Sequence, residues 1–136
     1  MSLEILIKIA GTLLLLLAAT HCLFPKILDW KKELAYLSVL NRQIFLVHTF
    51  FIVLVLLGFG VLSLFCTDDL MAPQRLSRTI LGGMAGFWFL RLIVQLFIYD
   101  SRLWRKNRSR TAAHLLLTAF WSFLVLVYAS ALVVPK

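Results

Sequence analysis

Acidic side chains are scarce in this chain: six Asp and Glu stand against fourteen Lys and Arg in 136 residues. Charged residues of both signs amount to 15% of the composition and hydrophobic ones to 62%. A water-soluble domain of this length needs more polar surface than that, so the composition places the chain in a bilayer. There are only two cysteines, Cys22 and Cys66. They fall at opposite ends of the first two apolar runs, a bilayer thickness apart, and a disulfide needs its Cα atoms within ~7 Å. Each reads as a small buried hydrophobe. There is also no His-x3-His, no Glu-x-x-His and no Cys-x-x-Cys, so no local element enforces metal coordination. No nucleophile stands at a suitable spacing from a base, which argues against soluble-type hydrolysis and leaves the enzyme question open with no catalytic residue to name.

What the chain does have is four apolar runs, at about 5–24, 44–65, 79–99 and 112–134. Each is long enough to cross a ~30 Å hydrocarbon core as a helix, and none alternates as a barrel strand would. Leu13 to Leu17 followed by Ala18-Ala19-Thr20 resembles an export signal, but Lys8 alone precedes the core while Lys26, Lys31 and Lys32 follow it, the reverse of a signal's charge order. The run therefore reads as a true span. The expected fold is all-α: a single transmembrane domain over 1–136, an antiparallel four-helix bundle whose connections are too short to hold anything else.

Between spans one and two, Ile27, Trp30, Leu34, Leu37 and Leu40 recur at helical spacing, with Lys31, Lys32 and Glu33 elsewhere on the wheel. That pattern predicts an amphipathic helix over about 26–41 lying in the interface. Gly82 with Gly86 makes a small-xxx-small pair in span three, and Gly58 and Gly60 do the same in span two, both patterns that permit close helix approach.

The costliest feature is an arginine and a glutamine inside the third span. A charge near the centre of a spanning helix costs ~2.5 to 3.5 kcal/mol on insertion scales, so it faces a protein interior and has a partner. At ~100° per residue Met84, Trp88, Arg91, Gln95, Tyr99 and Arg102 form one stripe. No Asp or Glu lies at the depth of Arg91. Either dipoles and aromatic faces answer it, or a ligand does: a lipid headgroup, a fatty-acid carboxylate, a haem propionate or a quinone carbonyl. Because helical side chains lean toward the helix N-terminus, Arg91 is expected to reach toward the midplane.

The three histidines, His21, His48 and His114, each fall about a turn inside a span on the same side of the membrane, at a depth comparable to Gln95. Together they outline a polar layer. The candidate ligand-binding residues are Trp88, Arg91, Gln95, Tyr99 and His48; as an alternative, His21, His48 and His114 hold a divalent metal, or two of them a haem. On span four His114, Thr118, Trp121, Val125 and Tyr128 share a face that reads as packing.

Leu40-Asn41-Arg42-Gln43 opening a span, Gly58-Phe59-Gly60 with Leu62-Ser63, and Phe87-Trp88, Arg91-Leu92, Gln95 and Tyr99-Asp100 together resemble a family of small bacterial four-span integral membrane proteins. The likeness runs from Pro25 onward. It implies the architecture and brings no activity with it. Three functions then compete: a binding or accessory protein for a lipid-soluble or anionic amphiphilic ligand or for a partner membrane subunit, including a second copy; a haem or metal redox protein; and a transporter or channel component, which the lack of broken helices or an internal repeat disfavours. Membrane lipids are expected partners. Nucleic acid is not, since the net charge of +8 reads as topology and anionic-lipid contact.

Orientation follows from the same charge. Nine of the fourteen basic residues lie in the connections after spans one and three, which places those connections in the cytoplasm and both termini outside it, in a bacterial inner membrane. A periplasm-active reporter fused after Lys136 is expected to be active and a cytoplasm-only reporter silent; the opposite pair of results reverses the orientation.

Overall fold

The computed structural model describes residues 2–98 and 108–133, and among these the chain is helical almost throughout with no strand. Four long helices carry the apolar runs: α1 (Leu3–His21), α4 (Val39–Phe65), α6 (Arg75–Ile93, continued by a π-helical turn at Val94–Ile98) and α7 (Arg108–Val133). All four are long and apolar enough to cross a membrane. Apolar side chains stay exposed along them, Leu116 by 71% and Leu126 by 67%, as a lipid-facing surface requires. In a bilayer this leaves each backbone N–H and C=O within a span bonded inside its own helix.

The segment between α1 and α4 is broken into pieces. Instead of one helix over 26–41 there are the single turns α2 (Phe24–Ile27) and α3 (Trp30–Glu33) and a 3-10 turn (Leu34–Tyr36). Asp29 causes the break: its φ of 46° and ψ of 48° are left-handed, a conformation that Asp tolerates better than most residues, and helical hydrogen bonding cannot run through it. The second break comes at Leu37, which is extended, before Ser38 caps α4 by accepting from Asn41 N at 3.3 Å. That cap moves the start of α4 from the expected 44 back to Val39, so Leu40 and Asn41 belong to the long helix.

Internal packing divides the chain into two compact units, residues 8–67 and residues 1–7 with 68–136. In the first, α1 and α4 meet backbone to backbone. A Cβ added at Gly11 would lie 2.9 Å from both Gly60 O and Leu64 N, and one added at Gly60 would lie 2.7 Å from Leu15 Cδ2. Gly11 thus faces Gly60 to Leu64, and Leu15, further along α1, faces Gly60, so the two helices run in opposite senses. Ala10, Leu14 and Ala18 on α1 and Leu56, Gly60 and Ser63 on α4 are the buried stripes, at helical spacing. Trp30 adds an edge-on contact with Phe45, centroids 4.9 Å apart, fastening α3 to the first turns of α4.

In the second unit α6 and α7 form a hairpin. Arg78 Nη2 donates to Leu132 O at 3.4 Å near one end, Trp88 stacks on Trp121 in the middle, and Gln95 meets His114 near the other. The paired numbers rise on one helix as they fall on the other, which fixes opposite directions. The short α5 (Thr67–Met71) is tied to α6 where Ser77 Oγ donates to Asp69 O at 2.7 Å. Of the glycines expected to permit close approach, Gly60 does so, while a Cβ at Gly58, Gly82 or Gly86 would meet nothing within 4 Å.

Gly11→Ala is therefore expected to destabilise the protein by about 1–3 kcal/mol, because the added methyl presses on backbone that cannot rotate away. Gly58→Ala, on the same pair of helices but in open space, is expected to be neutral or up to ~1 kcal/mol stabilising through helix propensity. Thermal unfolding of both variants in mild detergent checks the contrast.

Candidate functional site

The polar residues of the third span are gathered by the α6–α7 hairpin. Trp88, Arg91 and Gln95 follow one another at three and four residues, one face of a helix, and Trp88 and Gln95 are each only 2% exposed. From α7 come His114 and Trp121, two turns apart on the face opposed to them. The two indoles stack with centroids 5.2 Å apart and planes 8° from parallel, and Arg91 Cζ lies 4.9 Å from the Trp121 ring centre. A guanidinium over an indole face is attracted by the ring quadrupole, by ~2 kcal/mol or more once water is removed. Trp121 Nε1 is buried with no hydrogen-bond partner among the described residues.

A chain of two hydrogen bonds completes the site. Arg91 Nη1 donates to Gln95 Oε1 at 3.2 Å, and the other end of that amide, Nε2, lies 2.7 Å from His114 Nδ1. The direction of both bonds follows from one fact: a guanidinium can only donate. The carboxamide must turn its oxygen to Arg91, so its NH2 faces the imidazole, and Nδ1 must be the bare, accepting nitrogen. His114 is then neutral with its proton on Nε2, and in that state it has no lone pair left for a metal.

Arg91 was expected to lean toward the start of its helix. It reaches instead one turn onward to Gln95 and sideways to Trp121. Gln95 sits in the π-helical turn, whose i to i+5 bonding departs from the 100° wheel, so the stripe cannot be extended from Gln95 to its expected later members at that angle. Tyr99, and with it Arg102, lies outside the described residues.

The other two histidines belong to the first unit and are engaged differently. His21, half-buried, donates from Nδ1 to Leu17 O at 2.8 Å and meets the Phe24 ring at a tilt, centroids 4.6 Å apart. His48 is exposed and donates from Nδ1 to Ile44 O at 2.9 Å. Both satisfy a carbonyl of their own helix one turn back. Among the described residues no three His, Cys, Asp or Glu come together to hold a metal ion. Trp121 is the site residue that sequence reasoning assigned to packing; its signal was its place two turns from His114 on one helical face.

Comparison with protein-family models, with curated proteins and with solved structures finds no match. The site is read from its own chemistry.

Gln95 is the joint of the chain, so removing it takes an acceptor from Arg91 and a donor from His114. Gln95→Leu is expected to cost about 1–3 kcal/mol. In a double-mutant cycle with His114→Leu, the two changes are expected to couple by about 0.5–3 kcal/mol, the pair costing less than the two single changes added. Unfolding in detergent measures this, and strict additivity would mean the 2.7 Å contact contributes nothing.

Proposed function

We propose that the protein is a small multi-pass protein of a bacterial inner membrane, of the four-span kind its sequence resembles, which binds an amphiphile with an anionic headgroup at Arg91, Gln95 and Trp121. In this reading the four helices form one antiparallel bundle with both termini outside the cytoplasm, and α2, α3 and the 3-10 turn lie along the cytoplasmic interface. The observation that carries it is the cluster of hydrogen-bond donors in an apolar hairpin: a guanidinium held over a buried indole, beside a buried amide and a buried indole N–H. A headgroup oxygen is the natural complement of such donors. The depth fits too: His114 is one turn, ~6 Å, from the charged Arg110, within reach of a headgroup drawn slightly below the surface.

A second reading, an accessory subunit of a membrane complex or a homo-oligomer, draws on α4. Of its 27 residues only Leu56, Gly60 and Ser63 are buried, which leaves nearly a whole apolar circumference to lipid or to another helix.

Native mass spectrometry of the protein from mild detergent tests both. The amphiphile reading expects an acidic lipid bound to the wild type and lost in Arg91→Leu, with the fold as stable or more so, since replacing a buried charge with an apolar group is often neutral or favourable. Wild type and variant carrying the same lipids would remove it, and a discrete multimer without bound lipid would favour the subunit.

A further inference from the structure

The three histidines differ in one respect that chemistry makes consequential. At His21 and His48 the Nδ1 partner is a backbone carbonyl, which can only accept, so Nδ1 carries a proton and a second proton on Nε2 leaves the bond intact. At His114 the Nδ1 partner is an amide NH2 held in that orientation by Arg91, so Nδ1 is bare. His114 is the one of the three whose Nδ1 hydrogen bond cannot survive protonation.

We propose that this site takes up its anion together with a proton, the proton going to His114 Nδ1. The proposal rests on the amphiphile reading above. When Nδ1 gains a proton the imidazolium becomes a donor toward Gln95, and two donors face each other. The amide must turn over, presenting Oε1 to His114 Nδ1–H and Nε2–H2 to Arg91. That turn takes the Gln95 acceptor away from Arg91 Nη1, and the imidazolium adds a second positive charge beside the guanidinium. No bond other than N–H is made, and the proton comes from solvent. An anionic headgroup meets two cations where it would have met one. By linkage, if protonation strengthens anion binding, anion binding strengthens protonation to the same degree.

Among the described residues two cations stand near His114. From α6 comes Arg91, acting through Gln95, and from its own helix Arg110, one turn back. Asp68 and Asp69 belong to the other end of the hairpin, where Ser77 binds Asp69 O. The residues joining α6 to α7, among them Asp100, Arg102, Arg105 and Lys106, lie outside the described residues. With Arg91 on one helix and Arg110 on the other, an arriving anion meets positive charge from both.

The test uses the full chain in phosphatidylcholine nanodiscs and phosphatidylglycerol with brominated acyl chains, a phosphodiester that keeps its single charge from about pH 5 to about pH 8, the range in which histidine titrates. Bromine quenches tryptophan fluorescence, and Trp88 and Trp121 stand at the site. Brominated phosphatidylcholine is the control. The expected result is quenching selective for phosphatidylglycerol whose apparent affinity rises as pH falls, by up to about tenfold per pH unit for one linked proton. His114→Gln is expected to abolish the slope, while His21→Gln and His48→Gln keep it. Should His114→Gln not fold, proton uptake by the wild type, followed with an indicator dye as lipid is added in weak buffer, decides alone: up to one proton per lipid supports the proposal, and none overturns it. Selective binding with no pH dependence overturns the proton linkage and leaves the anion site standing. A slope that persists in His114→Gln, or disappears in His48→Gln, overturns it as well. No selectivity at any pH removes the anion site and the linkage together.

Discussion

A guanidinium cannot be deprotonated to escape an apolar environment, so a helix that carries one into a membrane must bring the surroundings that answer it. Much of the α6–α7 hairpin follows from this. Arg91 lies over Trp121, whose face supplies negative potential without a charge, and Trp121 is held in place by Trp88, which stacks on it from the same helix as Arg91. Gln95 takes one N–H of the guanidinium and passes the demand for an acceptor on to His114. Two helices are needed for this. The arginine and glutamine come from one and the indole face and imidazole from the other, so hairpin pairing and charge accommodation are the same event.

The hydrogen bonds of that group are ordered by their most rigid member. Glutamine can present either end, and histidine can accept or donate, but arginine has no such choice. Its presence therefore fixes the amide, and the amide fixes the tautomer and charge of the histidine. The same residue type elsewhere in the chain behaves otherwise because its neighbour differs: His21 and His48 each close a loop onto a carbonyl of their own helix, which any helical histidine can do without a tertiary partner.

The first unit solves a different problem with smaller residues. Two apolar helices in lipid gain nothing from hydrophobic burial against each other, so close contact must come from shape. Gly11 and Gly60 let the backbones of α1 and α4 approach until one more methyl would collide with a carbonyl and an amide. Leu15, Ser63 and Leu64 lie at that contact, and Ser63 is fully buried. The glycines of α6 have open space above them, Gly83 and Gly86 lying on its exposed side and not among the buried Leu81, Met84, Ala85 and Trp88.

Four long helices apolar enough to cross a membrane were legible in the sequence because they depend on length and apolar content, and so was the shared face of Trp88, Arg91 and Gln95. The break at Asp29 was not, since helical spacing of Ile27, Trp30 and Leu34 persists across a residue whose backbone is left-handed. Nor was the π-helical turn at 94–98, because periodicity presumes the angle it is used to find. Which glycines mattered was equally hidden: Gly82 and Gly86 match a motif, but Gly11 on another helix is what selects Gly60. The sequence by itself determined which residues are costly in a membrane. Only the tertiary structure decided what answers them, because the acceptor for Arg91 is a neighbour on its own helix while the indole beneath it and the histidine beyond it lie twenty to thirty residues away on the next, a distance that composition and spacing do not cross.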